Sequence, residues 1–527
     1  MKLPIATAAI LVVVSYVIFL VLSSFLTSRR HARIAQELKC EEPPIQKNRY
    51  PLGIDQIIRA FAADKAKQFP VDLIKRTVDV GAITYSYSVL GTKFYFTADE
   101  KNVQAILATQ FSDFDLGPLR RGNFWPLLGN GIFTEDGAGW EHSRAMMRPQ
   151  FAREQISDLV MTERHVQNMM RAIEVNMHAN GSTDCVDLQV LFFRLTLDSA
   201  TEFLFGESVD SQVRLLPSHQ DGSQNSSGAS AGDFATSFDR GQTALATRAR
   251  FGEMYYLSNP KRFQDDCKAC HEFIDHFVRL ALSKDIRDKE KQRERGSKDK
   301  YVFLEALATQ TQDPIELRSQ LLNILLAGRD TTASLLGWLF LSLARDPARY
   351  AKLRNIIIEE FGTYNNPKDI TFTRMKGCQY LQHCNNEALR LYPVVPINGR
   401  FANKDTTLPY GGGKDGKSKI FIPKGSTVDY SVHVMQHRKD LWGEDAEEFK
   451  PERWANRRPG WDFLPFNGGP RICIGQQFAL TESSYVTVRL LQRFDKLENL
   501  DTDPIIRHNL SLTNCSGNGV RVRIHAV

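Results

Sequence analysis

The sequence predicts a mainly α-helical protein with small β regions, a single large domain behind an N-terminal transmembrane helix. Three features predict this class: an uncharged apolar stretch over residues 3–28, a helical pattern over residues 314–345, and short alternating strand patterns such as residues 84–97. The chain has 527 residues, 42% hydrophobic and 24% charged, which excludes wholesale disorder. Its net charge of +6 is mild, so we expect no nucleic-acid partner.

Residues 1–28 are expected to form a transmembrane anchor. At ~1.5 Å per residue, a helix over the apolar stretch can cross a ~30 Å hydrocarbon core. Arg29, Arg30 and Arg33 follow at once, and because positive residues stay on the cytoplasmic side, the rest of the chain is predicted to be cytosolic. The alternative is a cleaved signal peptide, but the apolar stretch is too long and its basic flank lies on the wrong side.

Behind the anchor, residues 29–50 are interpreted as a linker stiffened by prolines, and residues 51–527 as the main domain. Residues 218–233 and 283–300 lack apolar periodicity and are predicted to be mobile loops. The other predictions are helices over residues 54–61, 191–205 and 234–282, a hairpin over 84–97, a loop over 115–135, and short strands over 408–422 and 427–434.

The most specific stretch is a glycine-rich loop, residues 466–475, which reads Phe-Asn-Gly-Gly-Pro-Arg-Ile-Cys-Ile-Gly. Gly468 and Gly469 allow positive φ and a close approach of the backbone to a flat ligand. Cys473 falls at the start of a predicted helix, where free N–H groups and the positive dipole end stabilise a thiolate. Arg471 can meet an anion. A lone cysteine beside a glycine turn is usually just a small buried residue, so the whole string carries the argument.

This string matches every fixed position of the haem-binding signature of the cytochrome P450 family, which the chain resembles from about residue 51 to the C terminus. The matching residues are Phe466, Gly469, Arg471, Cys473 and Gly475. The resemblance implies the cytochrome P450 fold, a haem-thiolate catalytic domain over residues 51–527, and haem b with Cys473 as the axial ligand of the iron. It also implies O2 as co-substrate and Arg471 on a haem propionate.

Two further patterns concern the propionates. Trp140 and Arg144 lie four residues apart and share a helix face, so both can reach one target. The family's Trp-x-x-x-Arg pattern places both on a propionate, whereas a packed Trp beside a surface Arg is the alternative. Arg400, seven residues after Pro393, matches another propionate position of the family.

The long helical pattern carries residues 327–332, which read Ala-Gly-Arg-Asp-Thr-Thr and match the family's oxygen-binding motif. Gly328 costs a helix about 1 kcal/mol relative to Ala, and Thr331 can hydrogen-bond to an upstream carbonyl and bend the helix. Such a small-residue patch gives room for a diatomic ligand. The resemblance assigns proton delivery to Asp330 and Thr331; a helix with a polar seam is the alternative.

Glu387 and Arg390 form an i, i+3 pair, which is weak evidence alone because such pairs are common on helix surfaces. The family joins this Glu, this Arg and a later Arg into one buried ion network that braces the cysteine loop. By resemblance, Glu387, Arg390 and Arg453 are expected to be structural residues of this kind.

Electrons must come from outside the chain, because no Gly-x-Gly-x-x-Gly follows a strand. The resemblance implies an NADPH-dependent cytochrome P450 reductase as partner, and an endoplasmic reticulum membrane location with a single span and a cytosolic catalytic domain. Basic residues expected near the cysteine side can dock the reductase or form an ordinary solvated surface. They are Arg148, Arg438, Lys439, Arg457 and Arg458.

Several stretches resemble the fungal membrane-bound branch that hydroxylates n-alkanes and fatty acids at the chain end. These stretches are residues 128–137, 144–153, 191–206 and 405–413. The resemblance implies a lipophilic substrate that enters from membrane lipid and undergoes terminal (omega) hydroxylation. Phe124, Trp125 and Leu127 either line its pocket or belong to the core. Three alternatives stay open: a monooxygenase of another lipophilic or secondary metabolite, a non-catalytic haem-thiolate sensor, and a haem-free membrane scaffold.

Overall fold

A computed structural model describes residues 5–152, 159–216, 231–283 and 302–526, and helices make up most of these ranges. The helices are α1 (Ile5–Glu37), α2 (Ile54–Lys65), α3 (Phe69–Val80), α4 (Glu100–Gln104), α5 (Gly117–Leu128), α6 (Gly137–Met147), α7 (Leu159–Glu174), α8 (Leu188–Phe205), α9 (Ala231–Arg250), α10 (Lys261–Leu282), α11 (Phe303–Ala308), α12 (Pro314–Arg345), α13 (Pro347–Phe361), α14 (Phe372–Gly377), α15 (Gln379–Leu391), α16 (Val432–Gln436), α17 (Lys439–Trp442) and α18 (Gln476–Arg493). The strands are β1 (Thr84–Val89), β2 (Thr92–Thr97), β3 (Phe114–Asp115), β4 (Val186–Asp187), β5 (Asn398–Ala402), β6 (Thr406–Gly412), β7 (Ser418–Ile422), β8 (Thr427–Tyr430), β9 (Phe494–Asn499), β10 (His508–Leu510), β11 (Asn514–Ser516) and β12 (Arg521–Ala526).

Helix α12 runs through the centre of the domain. The Asp313 side chain caps its start by accepting a hydrogen bond from the Ile315 N–H at 2.9 Å, and Pro347 begins the next helix directly after Asp346. Most of its residues are buried, and it packs along α8, α15 and α18. The predicted long helix is therefore confirmed. Although α12 is apolar and long enough to cross a membrane, its burial shows that it is a core helix.

Helix α1 does not end with the apolar stretch. Its segment Val13–Glu37 is long and apolar enough to cross a membrane, and none of that segment is buried in the domain. The helix continues past Ser28 because the following arginines and alanine are good helix formers. Cys40 and Ile45 then form bridges with Lys419 and Ser86, so the predicted linker over residues 29–50 begins as helix and ends packed against strands.

The largest sheet has the strand order β1-β2-β8-β5-β3, in which only the β2–β8 pair is parallel. The predicted hairpin over residues 84–97 is confirmed, with Leu90 and Gly91 both at positive φ in the turn. The strand predicted over residues 427–434 stops at Tyr430, because Ser431 caps α16 through the Val434 N–H. Smaller sheets pair β4-β12-β9, β6-β7 and β10-β11.

Two other sequence predictions are wrong in part. Residues 115–135 contain helix α5 instead of a loop, because the helix tolerates proline in its first turn and ends two residues after Pro126. Residues 234–282 form two helices, because α9 already ends at Arg250 and α10 begins at Lys261, directly after Pro260. Most of the loops predicted over residues 218–233 and 283–300 lies outside the described residues, and α9 already begins at Ala231.

Candidate active site

The Cys473 loop is closed by its own backbone. The Cys473 N–H donates to the Phe466 carbonyl oxygen at 3.0 Å, and the Ala479 N–H donates to the Gly475 carbonyl oxygen at 3.0 Å where α18 begins. The Gly475 N–H donates to the Cys473 sulfur. The sulfur thus lies at the start of a long helix and is oriented by main-chain groups.

Glycine is required at one point of this loop. Asn467 and Gly469 have positive φ, at 64° and 68°, whereas Gly468 is extended at −149° and does not use the freedom that the sequence suggested. A Cβ on Gly469 would lie 1.8 Å from the Leu107 carbonyl oxygen. The loop can therefore pack against the backbone at Leu107 only with glycine in this position.

The Cys473 side chain opens into an internal cavity. Burial raises the pKa of its thiol, while the hydrogen bond from the Gly475 N–H and the charge of Arg144 lower it. Because burial has the larger effect, a thiolate here needs a further positive partner. An iron ion bound to the sulfur is such a partner.

This cavity has a volume of about 240 Å³ and lies between the cysteine loop and α12. Helix α12 contributes Ala327, Gly328, Thr331 and Thr332 to its wall. A Cβ on Gly328 would meet nothing nearer than the Ala200 Cβ at 3.9 Å, so the glycine leaves space on the cavity side. The two walls leave an apolar space that suits a flat ring system.

Cations gather at one side of the same cavity. The cations are Arg120, Arg144, Arg400 and Arg471, and the neutral Trp140 side chain lines the cavity beside them. The guanidinium carbons of Arg471 and Arg144 lie 4.4 Å and 5.8 Å from the Trp140 ring centre. Arg471 also donates to the Asp136 carboxylate at 2.6 Å. Its Nε is buried and has no hydrogen-bond partner among the described residues.

The charges of this group are only partly balanced. Burial and the nearby charge of Arg400 lower the pKa of Arg120 to about 10. Burial likewise lowers the pKa of Arg471 to about 10, with Asp136 opposing and Arg400 adding to the effect. Buried cations in excess of their acids, one with an unpaired N–H, fit a ligand that carries two carboxylates, as a haem does.

Arg120 was not found from the sequence. Its Nε donates to the Phe133 carbonyl oxygen at 3.2 Å and its Nη1 to the Asn398 Oδ1 at 2.9 Å. No face could be assigned to it while residues 115–135 were predicted to be a loop. A helical interpretation of that stretch is the signal that would have pointed to it.

Asp330 and Thr331 are adjacent on α12 but line different cavities. Thr331 lines the cavity over Cys473, and its hydroxyl donates to the Ala327 carbonyl oxygen. Asp330 lines a side cavity of about 660 Å³ between α8, α9 and the β10–β11 hairpin. The structure therefore brings only one of the two predicted proton carriers to the cysteine.

Asp330 is part of an ion cluster in that side cavity. Arg329 Nη1 lies 3.2 Å from the Asp330 carboxylate and also pairs with Asp239 of α9. Burial raises the pKa of Asp330 to about 6, against the opposing charge of Arg329. A carboxyl group of this kind can hold or release a proton near neutral pH.

Glu387, Arg390 and Arg453 come together in a buried cluster. The Glu387 carboxylate accepts hydrogen bonds from Arg390 Nε at 3.0 Å and Nη2 at 2.9 Å, and from Arg453 Nε at 2.8 Å. The Trp454 indole N–H adds a further bond at 2.9 Å, a member that sequence reasoning missed. Both partners of the Glu387–Arg390 pair are fully buried, so removal of either one leaves an uncompensated charge.

A hydrogen-bond path joins this cluster to the cysteine loop. Arg390 Nη1 donates to the Gln436 carbonyl oxygen at 2.9 Å. The Gln436 side-chain oxygen accepts from the Leu464 N–H at 3.0 Å, and Leu464 lines the cavity two residues before Phe466. The path gives the cluster a physical means of holding the loop in place.

A second cavity, of about 420 Å³, continues from the first and is called the channel below. Both cavities are lined by Arg120, Phe133, Ala327, Thr331 and Asn398. From α12 the channel extends to α2, α3 and the β1–β2 hairpin, and most of its lining is aromatic or aliphatic. Phe124 lines it, whereas Trp125 is exposed and Leu127 packs in the core.

A cysteine sulfur at a helix start, below an apolar cavity with converging arginines, defines a haem-thiolate protein. The chain belongs to the cytochrome P450 family, whose model, described as Cytochrome P450, matches residues 80–518. The sequence resemblance and the expected fold class are thereby confirmed, and the protein is a cytochrome P450 monooxygenase. The family uses haem iron and O2, takes electrons from a redox partner and oxidises lipophilic substrates.

Individual relatives are similar in sequence to this protein over most of its length. The protein is 62% identical over 516 residues to cytochrome P450 monooxygenase g430 from Fusarium sp. The aligned region covers 98% of this chain and 90% of that protein. It is 46% identical over 513 residues to cytochrome P450 monooxygenase alt2 from Alternaria solani, covering 94% and 92%. It is 49% identical over 477 residues to cytochrome P450 52A3-A from Candida maltosa, covering 88% of each.

Proposed function

We propose that this monooxygenase hydroxylates the terminal carbon of long-chain n-alkanes or fatty acids. The channel is the observation that carries the proposal, because its largely apolar walls extend from Thr331 to the β1–β2 hairpin and suit an extended chain. The resemblance of four stretches to the fungal n-alkane and fatty-acid branch supports it, as does the similarity to the 52A cytochromes P450 of Candida maltosa and Debaryomyces hansenii.

The cysteine loop and the arginine group of the cavity hold the cofactor. When bound, haem supplies the activation of dioxygen and the oxidation of the C–H bond. Cys473 holds the iron as a thiolate, and the Gly475 N–H withdraws electron density from the sulfur. Phe466 and Gly475 keep the loop closed around the sulfur. The propionates are bound by Arg471, Arg144, Trp140, Arg400 and Arg120.

Proton supply is assigned to α12. Insertion of one oxygen atom into a C–H bond, with the other atom leaving as water, consumes two electrons and two protons. Asp330 holds a proton in the side cavity, and its elevated pKa keeps a useful fraction protonated near neutral pH. Thr331, the next residue, lines the cavity over Cys473 and relays the proton there through its hydroxyl group. The role of the Glu387, Arg390 and Arg453 cluster is structural: it fixes the cysteine loop.

We assign electron supply to an NADPH-dependent cytochrome P450 reductase, with residues 1–28 as a single-span anchor in the endoplasmic reticulum membrane and residues 51–527 as the cytosolic catalytic domain. Three of the five basic candidates for reductase docking already pair within the chain: Arg438 with Glu100, Lys439 with Glu444 and Arg457 with Asp462. Within the described chain, the exposed Arg148 and Arg458 form no ion pair. These two cations are therefore the better candidates.

The test is reductase-supported turnover of the full-length protein in microsomes, with hexadecane and hexadecanoic acid as substrates and mass spectrometry of the products. We expect a hydroxylated product from at least one substrate class in the wild type and none in Cys473→Ser. Cys185→Ser is the matched control, because Cys185 is exposed and does not line the cavity. Haem-replete protein that oxidises neither class would overturn the proposal.

A further inference from the structure

The channel contains a buried cation that its own neighbours do not satisfy. Arg76 of α3 lines the channel and is only 7% exposed. Its Nε donates to the Asp72 carboxylate at 2.8 Å, and its Nη1 lies 3.4 Å from the Gln56 Oε1. Its Nη2 is buried without a hydrogen-bond partner among the described residues. A guanidinium N–H in this state is unfavourable unless something accepts from it.

The partners that Arg76 does have are shared with other donors. The Asp72 carboxylate also accepts from Arg59 Nε at 2.8 Å, so its charge is divided between two arginines. The Gln56 Oε1 also accepts from Gln46 Nε2 at 3.2 Å, and the Gln46 Oε1 is buried and unpaired within the described ranges. Polar groups with unused hydrogen-bonding capacity thus cluster at this end of the channel.

Other ionisable groups of the channel are already engaged. Arg250 pairs with Asp64 of α2 through Nε at 2.7 Å and Nη2 at 3.2 Å. The Asp429 carboxylate accepts the Tyr87 hydroxyl at 2.6 Å, and burial favours its neutral form. Arg76 is therefore the cation best placed to receive an anion away from the haem side. It does not line the cavity over Cys473.

We propose that Arg76 binds the carboxylate of a long-chain fatty acid, so that the apolar tail extends along the channel to Thr331. This inference rests on the proposed function and selects acids over n-alkanes within it. A carboxylate accepts from the unused N–H of Arg76, whereas an alkane of the same length leaves that donor unpaired. A site with a buried polar donor discriminates against the analogue that lacks the acceptor.

The experiment compares hexadecanoic acid with its methyl ester, which keeps the chain and removes the anion. Binding of each to the full-length protein is measured by titration calorimetry at about pH 8, where a carboxylic acid is ionised. We expect the wild type to bind the acid more tightly. In Arg76→Met the acid-to-ester affinity ratio should fall by about 10- to 100-fold, the range for a hydrogen bond to a charged group.

Two further variants sharpen the result. Arg76→Lys keeps the charge without the forked donor geometry and should recover part of the ratio. Arg250→Gln removes a cation from the same channel, but one already paired with Asp64, and should change the ratio much less. A ratio in Arg76→Met equal to that of the wild type would overturn the proposal. If Arg76→Met does not fold, an acid-to-ester affinity ratio near one in the wild type would overturn the proposal instead.

The binding experiment also separates this inference from the reaction on which it rests. Loss of acid affinity in Arg76→Met, with no terminal product from the wild type, supports the carboxylate site and rejects the proposed reaction. Terminal hydroxylation with an unchanged ratio keeps the reaction and rejects the carboxylate site.

Discussion

The two walls of the cavity over Cys473 are built in different ways. The cysteine wall is a short loop held by its own backbone and by a path of hydrogen bonds to the buried Glu387 cluster. The opposite wall is one face of α12, whose neighbouring residues point into different cavities. The loop fixes the position of one sulfur atom, whereas successive residues of the helix line two different cavities.

The largest expected effect is on the cysteine wall. Cys473→Ser should abolish turnover, a loss of more than about 1,000-fold, because a serine hydroxyl does not ionise readily enough to replace the thiolate. The measurement is product formation together with the ferrous carbon monoxide spectrum of the purified protein. Cys185→Ser should behave like the wild type. A thiolate spectrum retained in Cys473→Ser would show that another residue holds the iron.

The second-largest expected effect tests the buried Glu387 cluster that holds the cysteine loop. Glu387→Ala leaves Arg390 buried without its counter-ion, which should lower the free energy of unfolding by about 3–5 kcal/mol and reduce bound haem. Asp239→Ala removes an ion pair from the α12 side, but Asp239 is 57% exposed and the buried Arg329 keeps Asp330 at 3.2 Å, so its effect should be much smaller. Denaturant titration measures both. Equal losses in the two variants would contradict the contrast between the walls.

The third effect concerns proton supply from α12. Asp330→Asn should reduce turnover by about 100-fold while leaving haem content unchanged, because it removes a proton donor but no cofactor contact. The carboxyl form of Asp330 is lost as pH rises through its pKa of about 6, so wild-type turnover should decline over that interval. Turnover of Asp330→Asn should lack this decline. Identical pH profiles in the two proteins would remove Asp330 from the proton path.

The smallest expected effect concerns two exposed arginines, Arg148 and Arg458. Arg148→Gln and Arg458→Gln should each raise the KM for the reductase by about two- to fivefold, and less at high salt, because exposed charges contribute little individually. Lys439→Gln should change the KM less, since its charge is already balanced by Glu444. Steady-state kinetics at two salt concentrations provide the comparison. A larger effect of Lys439→Gln would contradict this choice of docking residues.

The same contrast explains what the sequence could predict. The cysteine loop, α12 and the β1–β2 hairpin follow from local patterns, because short-range hydrogen bonds and helix periodicity determine them. Arg120 and Trp454 were missed, since both act through partners distant in sequence. The motif on α12 was recognised, and adjacent helix residues necessarily point in different directions. The cavity that Asp330 meets depends on how α8 and α9 pack around the helix, which no single stretch encodes.

Under the proposed function, this enzyme oxidises the end of a long chain whose other parts lie in the channel. The most direct test is to locate the oxygen in products made from hexadecanoic acid by the reductase-supported wild-type protein, using mass spectrometry. We expect a hydroxyl group on the terminal carbon. Hydroxyl groups spread over interior carbons, or haem-replete protein that forms no product, would contradict it.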